Sequence, residues 1–146
     1  MTNIASAQAT STASADYFFA RWADMETWPE WNSDTEWVRL SGPFATGATG
    51  VLKPKGGPRV PFVVASVTDR EFIDVSKLFG AKLTFAHAID AEAGRTTISV
   101  EISMTGPMAW FWRTVLGKGL RSSVQADLDS LVATAEADAA AAADVR

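Results

Sequence analysis

A single imidazole, His87, and no thiol bound the chemistry open to this chain of 146 residues. Thiolate nucleophiles, disulfides, iron–sulfur clusters and Cys/His zinc sites are excluded by composition. His87 sits in the run Leu83-Thr84-Phe85-Ala86-His87-Ala88-Ile89. Alternation of that kind puts it on the apolar face of a strand, with Leu83, Phe85 and Ile89. An imidazole there serves as a core group bonded to backbone or a hydroxyl, as an orienter of a ligand's polar end, or as a proton carrier. Proton transfer has the least support, because no carboxylate is visibly placed to orient the ring. Glu101 points to solvent by alternation, and the face of Asp74 is ambiguous. No Gly-x-Ser-x-Gly elbow exists to promote a serine. Asp127 and Asp129 lie two apart on a helix and face different ways, so neither a metal site nor a cofactor is expected.

Two other stretches invite chemistry and do not sustain it. Lys53-Pro54-Lys55-Gly56-Gly57-Pro58 lacks the spacing of a phosphate loop and has strands on both sides, so it reads as a solvated hairpin loop at a rim. Six Trp stand against one Tyr, four of the Trp between Trp22 and Trp37. Rings of that size suit cores, interfaces and ligand walls alike.

The elements that position these residues follow from period. Thr2–Thr12 alternates as a half-buried strand. Ser14 reads as an N-cap, Asp16 suits the first turn, and Ala15, Phe18, Phe19 and Trp22 form one helical stripe ending near Asp24. Pro29 starts a second short turn over Trp28–Asn32. Six further strands follow, Glu36–Leu40, Thr49–Lys53, Val60–Thr68, Glu71–Leu78, Ala81–Asp90 and Thr96–Thr105, joined by short turns that favour hairpins. Gly106-Pro107 then opens a long helix whose stripe runs Met108, Trp112, Leu116, Leu120, Val124, Leu128, Leu131, Ala135. Gly117 and Gly119 mark a bend in it or a close backbone, and the Ala139–Ala143 run is expected to fray. The fold class is α+β: a curved antiparallel sheet of about seven strands around a long C-terminal helix, in a single domain with an ordered core over 3–137.

That layout sets Phe85, Met104, Phe111 and Trp112 toward the space between sheet and helix, with Leu83, Leu116 and Leu120 beside them. Trp31, Trp37, Phe62 and Phe72 are further candidates for the same wall. Aromatic stripes at these spacings are also what a solid core looks like. Trp110 falls off the main stripe, next to Arg113, Lys118 and Arg121. It is either covered by the N-terminal elements or free as an entrance, a dimer contact or a transient touch point for anionic lipid.

The chain resembles the SRPBCC superfamily, which includes START lipid-transfer domains, the major birch-pollen allergens and polyketide cyclase/dehydrase-like proteins. The stretches that carry the resemblance are Ala15-Asp16-Tyr17-Phe18, Trp22-Ala23-Asp24, Trp28-Pro29-Glu30-Trp31-Asn32, Gly47 and Gly50, Lys53-Pro54-Lys55-Gly56-Gly57, Phe85-Ala86-His87, Gly106-Pro107, and Leu128, Leu131, Ala135 and Glu136. Together they cover about residues 3–136. Asp16 stands where the family often has Pro, and the tail is longer and richer in Ala. The resemblance implies a helix-grip fold with a deep apolar cavity and an inward role for His87; it fixes no single activity.

The expectation is therefore a protein that holds a small hydrophobic or aromatic molecule between sheet and helix. A cyclase/dehydratase-type enzyme using the same cavity, and a protein-interaction module, stand as alternatives. A net charge of −4 argues against a nucleic-acid partner. Met1–Ala15 has no basic and apolar leader pattern and no apolar run is long enough for a membrane helix, so a cytoplasmic monomer or homodimer is expected.

Overall fold

Where the apolar period is two, the chain pairs into one sheet. The computed structural model describes residues 2–144, with β1 (Thr2–Ser11), α1 (Ala15–Ala23), a 3-10 helix (Met25–Glu30), β2 (Thr35–Ser41), β3 (Thr49–Pro54), β4 (Val60–Val67), β5 (Glu71–Leu78), β6 (Ala81–Glu92), β7 (Arg95–Thr105) and α2 (Ala109–Asp144). The strand order is β1-β7-β6-β5-β4-β3-β2, and every neighbouring pair is antiparallel. From β2 onward each strand lies beside its predecessor. Only the step from β1 to β2 crosses the sheet, and α1 with the 3-10 helix makes it.

The 3-10 helix begins earlier than Pro29 suggests. Its N-cap is Asp24, whose carbonyl accepts both the N–H of Thr27 at 3.0 Å and the Thr27 Oγ1–H at 2.7 Å. Pro29 then falls inside the turn. In α1, Phe18 and Trp22 are fully buried, as the stripe requires; Ser14 precedes the helix in extended conformation without a side-chain cap bond.

α2 has 36 residues, about 54 Å at 1.5 Å per residue. It continues through Ala139–Ala143 instead of fraying. Alanine is the best helix former, and Asp138 is held by Arg21 of α1 through a two-pronged ion pair at 2.7 and 2.9 Å. The α2 stripe is not uniform. Val124, Leu128, Leu131 and Ala135 are buried against β1, whereas Trp112, Leu116 and Leu120 are only half-buried. Successive steps of four residues overshoot a 3.6-residue turn, so between Trp112 and Val124 the stripe winds about 120° around the helix.

Register fixes the inner face of the sheet. Phe72 pairs with His87, Asp74 with Phe85, Ser76 with Leu83, and on β7 Val100, Ile102 and Met104 continue those rows. Phe62 and Val64 extend it across β4. Gly106 (φ +114°) joins β7 to α2 where its Cα lies against the Gly80 carbonyl: a Cβ there would meet that oxygen at 2.6 Å. The start of α2 is thus pressed onto the β5–β6 turn.

Candidate functional site

The interior divides into two parts. Beneath α1 it is filled with rings. Phe72 stacks on His87 with centroids 4.8 Å apart and planes 12° apart, Trp22 meets both at 5.8 and 5.2 Å, and Phe44 and Trp28 close on Phe72 at 5.0 and 6.1 Å. Trp31 packs on Trp28 at 5.6 Å. Phe62 is buried with its ring against Gly50, where no side chain would fit.

The second part lies under the first half of α2. Leu83 and Met104 are buried there on the sheet, but Phe85 and His87 keep part of their surface, as do Trp112, Leu116 and Leu120 on the helix. These are the sequence-selected residues that the fold brings to one region. Trp112 donates its Nε1–H to the Phe79 carbonyl at 2.7 Å and ties α2 to the β5–β6 turn.

Trp31, Phe62 and Phe72 belong to the first part, and two further sequence-selected residues join neither. Trp37 is one residue out of phase with Val38, whose side chain is buried, and lies on the outer face over Lys53; the Arg39 guanidinium sits 4.4 Å from its ring and Arg59 5.6 Å. Phe111 is 38% exposed, edge-on between Trp110 and Trp112. Position 111 is offset from the stripe by about 100°, so a helix that turns Trp112 inward turns Phe111 out. Trp110 is not covered by the N-terminal elements.

His87 Nδ1 lies 2.9 Å from the Phe72 carbonyl, which can only accept, so Nδ1 carries the proton and Nε2 presents a lone pair. Burial lowers the imidazole to about 4 in spite of that carbonyl, so the ring is neutral at ordinary pH. Asp74 is the group that the sequence left undecided. It faces inward between Val64 and Phe85, is 5% exposed, and its Oδ1 has no hydrogen-bond partner. Burial pushes the carboxyl up to about 7, a backbone hydrogen bond opposing the shift. Asp74 and His87 are diagonal neighbours on adjacent strands, a relation that sets Cα atoms roughly 7–8 Å apart. The signal for Asp74 was present in Phe72-Ile73-Asp74-Val75-Ser76, where both residue types alternate weakly and either face is a candidate. Buried Ser76, next on the same face, completes a short polar track in an apolar wall.

Two shallow, open depressions lie elsewhere. One runs along the sheet by Ser6, Gln8, Ala88 and Gln125, the other at the β6–β7 turn by Asp90, Glu92 and Arg95. Among the described residues no group of three or more His, Asp or Glu could hold a metal, and no helix is long and apolar enough to cross a membrane.

The fold has many solved counterparts. A hypothetical protein of Helicobacter pylori matches with TM-score 0.71 at 15% identity, over 90% of this chain and 86% of its own. The protein Ara h 8.0201 matches with TM-score 0.64 at 12% identity, over 90% of this chain and 96% of its own. The di-domain ARO/CYC StfQ of the steffimycin biosynthetic pathway matches with TM-score 0.69 at 11% identity; 94% of this chain spans 53% of that one. At such identities the likeness is one of fold. No curated protein matches the sequence. Residues 3–136 match the family described as polyketide cyclase / dehydrase and lipid transport. With that match over most of its length and a seven-stranded sheet gripping a long terminal helix, the chain belongs to the polyketide cyclase/dehydrase and lipid-transport family of the SRPBCC superfamily.

Proposed function

We propose that this protein binds a small hydrophobic or aromatic molecule bearing an oxygen function, held between β5–β6 and the first half of α2. One observation carries the reading: Phe85, His87, Leu116 and Leu120 retain accessible surface while Leu83 and Ile89 on the same strand and Leu128 and Leu131 on the same helix are buried. Asp74, protonated below about pH 7, supplies a donor and His87 Nε2 an acceptor. The family and the ARO/CYC neighbour support a ligand-binding or cyclase role in general terms.

Magnitudes narrow the ligand class. Burying about 150 Å² of one ring contributes roughly 4 kcal/mol before ordering costs, which corresponds to about millimolar affinity. Micromolar binding therefore calls for a fused polycycle. Titration with 2-naphthol and with a hydroxylated anthraquinone, followed by tryptophan fluorescence, tests this. The larger probe should bind at least tenfold tighter, and Leu116→Trp should abolish both signals. Equal, undiminished quenching in that variant, or no saturable binding at all, overturns the reading.

A second reading, a cyclase/dehydratase-type enzyme, is favoured by the same diagonal pair. His87 Nε2 would take a proton from carbon beside a carbonyl while Asp74 gives one to the oxygen that gains charge, and water would return the proton from imidazolium to carboxylate. Under it His87→Ala loses turnover of a poly-carbonyl substrate and keeps ligand retention. Equal loss of both counts against it.

A further inference from the structure

The exposed large hydrophobic side chains of the described residues gather at one end of the molecule: Phe79 at 81%, Trp110 at 61%, Val115 at 55% and Phe111 at 38%. They come from two elements that are locked together. Trp112 Nε1 bonds the Phe79 carbonyl at 2.7 Å, and the Met108 N–H bonds the Gly80 carbonyl at 2.9 Å. Phe79 and Trp110 therefore project from a single rigid platform.

Charge follows the same geography. No carboxylate occurs between Asp74 and Asp90 or between Glu101 and Asp127, and these two stretches carry Lys77, Lys82, Arg113, Lys118 and Arg121. All five bases are exposed, and among the described residues none is paired with an acid. Lys77 and Lys82 face each other across β5 and β6 just behind Phe79. Arg121 folds back along α2, its guanidinium beside Gly117, and it is this side chain, not another backbone, that approaches the glycine. The acids of α2 begin at Asp127, at the other end, in a chain whose net charge is −4.

We propose that this end docks on an anionic lipid surface, with Phe79 and Trp110 entering the headgroup layer and Lys77, Lys82, Arg113 and Lys118 meeting its charge. Ring tips standing out from two separate elements suit a soft, yielding surface, and the exposed bases on those same elements match anionic headgroups. A protein–protein interface selects against Lys and seats its aromatic anchors in a packed, level patch. The proposal is independent of what the interior binds.

Flotation with vesicles of phosphatidylcholine, alone or with about 30% phosphatidylglycerol, tests it. The protein should float with the anionic vesicles at least tenfold more than with the neutral ones, and lose that advantage at about 0.5 M salt. Phe79→Ser with Trp110→Ser should lower binding about tenfold with an unchanged circular dichroism spectrum, since both side chains are exposed. Lys77→Gln with Lys82→Gln should bring binding to anionic vesicles close to the neutral level. Absence of flotation with either vesicle, or unchanged flotation of the Ser pair, overturns the proposal. A solution dimer that the Ser pair dissolves, without vesicle binding, assigns the face to a second copy and overturns it as well.

Discussion

Beneath α1 the sheet wall is dense: Trp22, Phe18 and Phe72 have no accessible surface, and Trp22 and Phe72 pack on each other and on further rings. Beneath the first half of α2 the same wall faces Leu116 and Leu120 that are half-buried, and Phe85 with surface to spare. One sheet thus supports two kinds of interior. The difference comes from the elements laid over it. A short helix places two large residues, Phe18 and Trp22, four apart on one line, whereas α2 winds its stripe around the helix before settling on β1. The first region is closed by ring-on-ring packing, and the second leaves its side chains half-exposed.

The sharpest way to break this division is to cut each side. Trp22→Ala removes a ring that touches Phe19, Phe72 and His87 at once, and should cost about 3–5 kcal/mol. Urea unfolding measures it. A loss below about 1.5 kcal/mol would mean that the α1 side is as loosely packed as the α2 side.

The next largest effect is in pH dependence. Folded Asp74 titrates near 7 against an ordinary 3.8. Between those values the folded chain holds a proton that the unfolded chain has lost, so this group makes stability fall as pH rises. Folded His87 titrates near 4 against 6.5. In that interval the unfolded chain holds the extra proton, so this group makes stability fall as pH drops. From about pH 4 to 6.5 the two slopes oppose, each approaching ~1.4 kcal/mol per pH unit. Relative to the parent, Asp74→Asn should gain stability as pH rises through this window, by up to roughly 3 kcal/mol, and His87→Gln should gain it as pH falls. Variant and parent curves that run parallel would show that neither group is desolvated.

Leu116→Ala gives a smaller effect, under about 1.5 kcal/mol, because the side chain is half-covered; Leu131→Ala, with 1% exposure at the start, should cost about 2–5 kcal/mol. Comparable losses at the two positions would erase the distinction between the halves of α2.

Much of this architecture is legible in the residues. The alternation from Leu83 to Ile89 and from Ile98 to Met104 placed His87, Phe85 and Met104 on one face, and the seven strands fell close to their observed limits because Gly and Asp turns bound them. Three features were not legible, each for a local reason. Asp74 stood in a strand whose two faces look alike. The winding of the α2 stripe is invisible when residues are matched at three or four apart, since every single step fits. Most of all, the sequence and the resemblance both suggest one space between sheet and helix, whereas Trp22, Trp28, Trp31 and Phe72 occupy the α1 side of it. Their spacing was compatible with a ligand wall or a core, and only the packing of rings against one another distinguishes these.

Trp37 gives the smallest effect and tests the assignment of faces most cleanly. Its ring lies on the outer side of β2 under Arg39, 4.4 Å from the guanidinium, with Arg59 further off at 5.6 Å. A stack of that kind near the surface contributes about 0.5–1 kcal/mol. Trp37→Ala should therefore cost little more than that, and Arg39→Ala should cost nothing further once Trp37 is gone, because the partner has already been removed. Binding of fused-ring probes should be unchanged in either variant, while Leu116→Trp abolishes it. A Trp37→Ala variant that loses probe binding as completely as Leu116→Trp would mean that the ligand surface lies outside the grip, on the face of the sheet opposite α2.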